Sequence, residues 1–366
     1  MIKLRRLRTP LMSTAVLLLA LAGWYGWWLL AGTLLQQSID GLSAAERQRG
    51  GSVSFGGLEL SGFPFSVRAE FSDVAVSRFD GSGWRSPRLI ADAPLWWLPA
   101  VKVRLIGTQH IRLPAGMEAT TATALDGEGD LTLGGASGLT AARLALSGVT
   151  LLPAGAAIDH FEISAKLPAK QPVNGGETGL TLTASAEGVH LAAAVEPLGP
   201  RIERLALGVR LQGRLPAPAP VALAAWSRSG GSLLIDGASL SWGALSVETT
   251  GALELDRELQ PTGSLTTEVT GFVPALEALA ATGWIRPKDA QTFQAVLTGF
   301  AHRRDSKDLT LPRETKDKAV VKLPVSLHDH FVHIGPFRLT PLPVVVWLGD
   351  QRMPNQTTEA PPAIRQ

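Results

Sequence analysis

Arg204-Leu205-Ala206-Leu207-Gly208-Val209-Arg210-Leu211 puts an apolar residue at every second position, with Arg204, Ala206, Gly208 and Arg210 between. Side chains of a β-strand point alternately to the two faces of a sheet, so this run describes a strand with one buried face. A helix would instead space its apolar residues three and four apart. The same alternation recurs outward from this stretch. Val67, Ala69 and Phe71 alternate with Arg68, Glu70 and Ser72, and Val101, Val103 and Leu105 alternate with Lys102 and Arg104 until Ile106 breaks the pattern. Leu180, Leu182 and Ala184 alternate with Thr181, Thr183 and Ser185, and Leu253 and Leu255 with Glu254 and Asp256. Asp126-Gly127, Gly134-Gly135 and Asp236-Gly237 read as turns between such strands. No fixed period links the runs, which gives no support to a propeller or regular solenoid.

The fold class that follows is mainly β: an elongated, twisted antiparallel sheet, groove-like or partly closed, carrying a short helical hairpin. Leu167–Glu177 and Leu215–Pro220 hold prolines and read as connections within the sheet. The hairpin is expected at about residues 273–301. Pro274 suits a first helical turn, Gly283 a stop, and Phe293, Val296, Leu297 and Phe300 lie at helical spacing in a second helix starting near Pro287.

Of the 366 residues 45% are hydrophobic and 18% charged, too apolar for a disordered chain. No cysteine is present, which removes disulfides, a Cys nucleophile and a thiolate zinc site. Residues 1–9 hold Lys3, Arg5, Arg6 and Arg8 with no acid, whereas the rest of the chain has 30 basic against 32 acidic groups. The body therefore lacks the basic bias of a nucleic-acid binder.

After Arg8 the next charged residue is Asp40. The apolar run within residues 10–38, including Leu11, Leu19, Trp24, Trp27, Trp28 and Leu30, exceeds the ~20 residues that span a hydrocarbon core. A basic head favours a cytoplasmic N-terminus, and the late Trp cluster suits the outer interface. Ala20-Leu21-Ala22 before Gly23 also fits a signal-peptidase site, so cleavage after Ala22 stays an alternative. The expected organisation is a cytoplasmic leader (1–9), a transmembrane signal-anchor (10–38), a periplasmic β-rich domain (39–348) and a disordered tail (349–366).

Catalytic motifs are absent: no G-x-S-x-G elbow, no phosphate-binding loop and no H-E-x-x-H. His328-Asp329-His330 with His333 is the densest group of ligand-type residues. His328 and His330 would share one face of a strand and are weak metal candidates, with Asp329 and His333 on the other. A polar turn in the terminal β-ribbon is the simpler reading. Glu254 and Asp256 could be posed as glycosidase carboxylates. They sit on the polar side of an alternating run, which reads as a solvated face. Trp96-Trp97 suits a bend or an interface contact, and Trp226 and Trp242 suit the core. No catalytic residue and no cofactor is expected.

Trp226, Gly230-Gly231, Leu233, Ile235, Leu240 and Trp242-Gly243 form one pattern, continued by Gly251, Leu253, Leu255, Pro261 and Gly263. With the hairpin, Ser61-Gly62-Phe63-Pro64 and the closing LPVSLHDHFVHIGPFRL, the chain resembles the proteobacterial family catalogued as domain of unknown function 2125. That family has no assigned catalytic residues to transfer. Its usual Asp-Gly turn near the end is replaced here by Asp329-His330. The layout is also similar to the AsmA and TamB group, which implies an inner-membrane helix, a periplasmic β-domain and an envelope role involving lipids.

One apolar face on so long a sheet needs cover, and helices are scarce. An open apolar trough would suit an acyl chain, at about 0.8 kcal/mol for each buried CH₂. The expected function is a non-enzymatic envelope protein that binds or passes lipid or another amphiphile along the groove. The residues expected to line it are Val67, Ala69, Phe71, Val101, Val103, Leu105, Leu205, Leu207, Val209 and Leu211. The alternatives are a scaffold recruiting envelope proteins through its sheet edges and, more weakly, a metal-dependent enzyme. Expected partners are the inner membrane, a lipid and envelope proteins, with no nucleic acid.

Overall fold

The computed structural model describes residues 50–78, 80–94, 100–113, 121–134, 138–196, 198–216, 220–281, 320–335 and 337–342, with isolated positions at 44, 47, 283, 286–288, 290–295, 297 and 345. The expected anchor, tail and Trp96-Trp97 lie outside the described residues. Among the described residues no helix is long and apolar enough to cross a membrane.

Among the described residues eighteen strand segments join in one antiparallel sheet. The first are β1 (Ser52–Ser54), β2 (Gly57–Ser61), β3 (Ser66–Ser77), β4 (Gly83–Pro94), β5 (Ala100–Ile106), β6 (Gln109–Arg112), β7 (Thr121–Ala124), β8 (Asp126–Gly134) and β9 (Gly138–Leu152). Then come β10 (Ala156–Lys166), β11 (Thr178–Val195), β12 (Gly199–Gln212), β13 (Leu233–Trp242), β14 (Leu245–Leu255) and β15 (Pro261–Thr270). The last are β16 (Val321–His328), β17 (Phe331–Ile334) and β18 (Phe337–Pro341). The segments form a meander. β1 and β2 both pair with β3, β5 and β6 with β4, and β7 and β8 with β9, so each of these pairs is one strand broken by an irregularity.

These irregularities line up. Ser72 pairs with Arg88 and Val74 with Ser86, which leaves Asp73 opposite Pro87. Gly107 and Leu125 interrupt the next two strands, and Asp159 faces Gly148 on one side and Gly188 on the other. On β3, β5/β6, β9 and β11, strands of one direction, the residue at the break is left-handed: Asp73, Gly107, Gly148 and Gly188 have φ of 51°, 85°, 60° and 62°. At Gly107 the register also moves on by one, a bulge that bends its strand, whereas at the other three one residue still faces one. The left-handed residue shifts the inward parity by one, so buried positions fall three apart: Phe71 and Val74, Leu146 and Val149, Ala186 and Val189. The result is a crease across the sheet that brings apolar side chains from both sides into shared clusters. One joins Ala69, Phe71 and Val74; the other joins Leu105, Ala122, Ala124, Leu146 and Val149. Gln109 is fully buried at the crease, where its amide accepts from Trp84 Nε1 (3.2 Å) and donates to the Gly107 carbonyl (2.7 Å).

The dipeptides Asp126-Gly127 and Asp236-Gly237 are not turns; both lie inside strands, the second at a register shift between β13 and β14. Among the described residues two continuous helices punctuate the meander, α1 (Pro220–Arg228) between β12 and β13 and α2 (Phe272–Ala281) after β15. Helix α1 starts on the last residue of the expected proline connection, with Pro220 at its first position. Helical residues recur between 287 and 297, in keeping with the second arm of the expected hairpin. Helix α2 packs Ala275 and Ala278 against Val195, Leu198 and Trp242, and Phe272 joins Leu297, Val269, Val321, Leu323 and Ile334.

Candidate functional site

Directly opposed residues in an antiparallel pair share a face. Register alone therefore assembles an apolar rung from Phe161 through Ala186, Leu205 and Leu240 to Val247. A second rung runs from Ile163 through Ala184, Leu207 and Ala238 to Thr249. At one end these rungs enter the crease cluster, in which Phe161 packs near Leu144 and Leu146. At the other they pass under α2, where Leu240, Leu245 and Val247 meet the helix-covered clusters.

Between those two covered regions lies an open trough of about 430 Å³, lined by Phe161, Ala184, Ala186, Leu205, Leu207 and Leu240 among others. The alanines keep its floor low, and the walls contain no ionisable side chain. Leu205 and Leu207 remain 36% and 40% exposed, unusual for leucines at the centre of a sheet. The hydroxyls on this face satisfy one another, Thr249 Oγ1 lying 3.0 Å from Thr267 Oγ1. The volume falls in the ~300–1,000 Å³ range of ligand pockets.

The opposite face is ionic. Arg143 contacts Glu162 at 2.8 Å and Asp130 at 3.6 Å, Arg68 contacts Asp92 at 2.7 Å, and Asp159 accepts from Arg201 and meets His190, each at 3.0 Å. Arg210 forks onto Asp236, with Nε 2.7 Å and 2.9 Å from its two oxygens. Hydrogen bonds from Arg143 hold the Glu162 carboxyl below its ordinary range, and those from Arg210 do the same for Asp236. Acids and bases alternate across neighbouring strands, so this face is internally neutralised.

The structure divides the groove residues. Leu205 and Leu207 line the trough, and Val209 and Leu211 continue its face, half-buried, through cross-strand pairs with Ile235 and Leu233. Val67, Ala69, Phe71 and Leu105 are buried, with Val101 and Val103 half-buried beside them, so this set belongs to closed packing near the crease. Ala186, Ala238 and Phe161 also line the trough, and the alternation within single strands does not point to them. Aligning the alternating runs strand against strand is the signal that finds them.

Asp329 and His330 form a two-residue hairpin turn with φ of 51° and 60°, joining β16 to β17. His328 pairs with Phe331 and Ser326 with His333, so the reversal places His328 and His333 on one face, not on opposite faces as a continuous strand would. Their rings stack at 3.7 Å, His330 Nε2 meets Glu258 Oε2 at 3.2 Å, and Arg338 lies over the Phe331 ring. His328 and His330 thus have separate partners. Among the described residues no three His, Asp or Glu side chains gather as a metal site. Glu254 lies one residue from the end of β14, and Asp256 caps the following turn by accepting from the Glu258 and Gln260 amides.

A family model described as an uncharacterized protein conserved in bacteria (DUF2125) matches residues 27–343. No curated protein and no solved structure matches the chain.

Proposed function

This chain belongs to that bacterial family, and from this premise we propose that it is a non-enzymatic periplasmic protein, tethered to the inner membrane by residues 10–38, that holds or passes an amphiphile in the β10–β14 trough. The single observation that carries the reading is the uncovered pair Leu205 and Leu207 above an alanine floor. Covering leucines with an alkyl chain removes apolar surface from water at about 25 cal/mol for each Å². Without a charge in the lining, the trough selects the tail and leaves the headgroup to solvent. The layout expected from the sequence, an anchor followed by a long β-domain, resembles that of the AsmA and TamB group and suits the same envelope role.

Native mass spectrometry of the full chain, purified in mild detergent, tests this directly. A stoichiometric phospholipid or fatty acid is expected, and Leu207→Asn should lower its occupancy. Persistent absence of lipid from the wild-type chain would leave a tethered β-scaffold that recruits partner proteins at its edges.

A further inference from the structure

Beyond the crease, the outward face of the first strands breaks the charge pattern found elsewhere. Cross-strand pairing builds one row from Ser54, Ala75, Arg85, His110 and Thr123 and another from Ser52, Ser77, Gly83, Arg112 and Thr121. The intervening residues Val76, Trp84, Ile111 and Ala122 turn inward to the core. These two rows line a basin of about 680 Å³ that contains two arginines, one histidine and five hydroxyl side chains, and no carboxylate.

Most other arginines on this face are matched, Arg68 to Asp92, Arg88 to Glu70, Arg143 to Glu162 and Arg210 to Asp236, whereas Arg104 stands alone beside Glu128 in the register and has no second cation in its cross-strand row. Arg85, His110 and Arg112 are exposed and have no such partner among the described residues. Of the acids on the flanking hairpins, Asp80 is engaged by the Ser82 amide and hydroxyl, and Glu118 lies in the β6–β7 connection outside the described residues. Guanidinium groups beside hydroxyl donors are the chemistry that recognises phosphate oxygens.

The position of the basin selects the phosphate. Ser52 opens β1, the first strand after the apolar run, and itself lines the basin. Ser52 follows Ser38 so closely that the link spans about 20 Å if helical and at most about 50 Å if extended. Ala44 and Arg47 within it are helical. A basic surface so tethered stays within reach of anionic headgroups. We infer that the Arg85–His110–Arg112 basin binds the phosphates of anionic phospholipids on the membrane that anchors the chain. The inference rests on the anchor reading of residues 10–38 and is independent of what fills the trough.

The chain has no cysteine, so single labels can be placed cleanly. Thr108→Cys puts a fluorophore two residues from His110 at an exposed site outside the basin lining, and Val173→Cys, 90% exposed in the β10–β11 connection, serves as the distant control. The labelled full chain is reconstituted in phosphatidylcholine vesicles carrying a nitroxide-headgroup lipid, with increasing phosphatidylglycerol. Quenching at residue 108 should rise with phosphatidylglycerol while that at 173 does not. Arg85→Gln and Arg112→Gln should each raise the phosphatidylglycerol fraction needed for half-maximal quenching, by up to about fivefold at low salt. Quenching that ignores both substitutions overturns the basin. Quenching that stays flat across the phosphatidylglycerol series, together with saturable binding of inorganic phosphate that both substitutions weaken, assigns the basin to free phosphate and overturns the bilayer assignment. Failure of the chain to stay with vesicles after alkaline carbonate sinks the anchor instead; co-sedimentation of the released chain with phosphatidylglycerol vesicles then tests the basin alone.

Discussion

Gly148 and Gly188 keep left-handed φ values of 60° and 62° inside long strands, a conformation that costs an ordinary L-residue about 1–2 kcal/mol. A Cβ on Gly148 would also stand 2.7 Å from Leu125 Cδ1. Gly148→Ala is therefore expected to destabilise the fold by about 1–3 kcal/mol in urea denaturation; an unchanged midpoint would mean that the crease does not depend on that glycine. The opposite sign is expected at the Asp329-His330 turn. Both of its residues have φ above zero, and glycine is preferred at the second position. His330→Gly trades the left-handed cost for backbone entropy and the exposed contact to Glu258, so it should raise stability by about 0.5–1 kcal/mol. Acid titration probes the ionic face. Glu162 and Asp236 have folded pKa values lowered by Arg143 and Arg210, so their stabilisation is complete above the ordinary carboxylate range and disappears as pH falls through the lowered values. Arg143→Gln or Arg210→Gln should flatten that acid limb by lowering neutral stability by the small amount an exposed pair contributes, and leave stability below the lowered values unchanged.

At the scale of elements, helix α2 and the trough make opposite demands on the same apolar face. Ala275 and Ala278 are 2% and 1% exposed under Val195, Leu198 and Trp242, so Ala278→Leu should overpack the contact at a cost of about 1–3 kcal/mol. Leu207→Asn, at a site 40% exposed, should cost well under the ~2–5 kcal/mol of a truncated core leucine and act mainly on lipid occupancy. A core-sized loss at Leu207 would show that the trough is closed in solution. The strands themselves were readable, because Leu205 to Leu211 and Val67 to Phe71 obey the period of two that one buried face imposes. Which apolar runs seal and which stay open was not, because that depends on the crease. Its trace is local but easily passed over: Phe71-Ser72-Asp73-Val74, Leu146-Ser147-Gly148-Val149 and Ala186-Glu187-Gly188-Val189 each space two buried residues three apart around Asp or Gly. Without cross-strand register these fragments read as interruptions. Asp126-Gly127 reads as a turn for the same reason, lying just past the break at Leu125. Helix α1 leaves little trace in the sequence, because prolines precede it and only nine residues form it.

The whole molecule separates two kinds of surface that respond to different solvent conditions. One face of the meander is apolar from Phe161 to Val321, sealed at the crease and beneath α2 and open between them. The other face is ionic, neutralised nearly everywhere except at the Arg85–His110–Arg112 basin. An alkyl chain in an uncharged trough is held by exclusion from water, which salt does not weaken. Phosphates on an exposed arginine surface are held by Coulomb attraction, which is screened within about 3 Å at 1 M salt. Raising salt from low to molar concentration should thus abolish the phosphatidylglycerol-dependent quenching at residue 108 and leave trough lipid in place by mass spectrometry. Loss of both together would tie the trough ligand to the basin through one headgroup, and the two surfaces would then act as a single site. Retention of both would show that the basin contact is not electrostatic, against the unmatched arginines from which it was inferred.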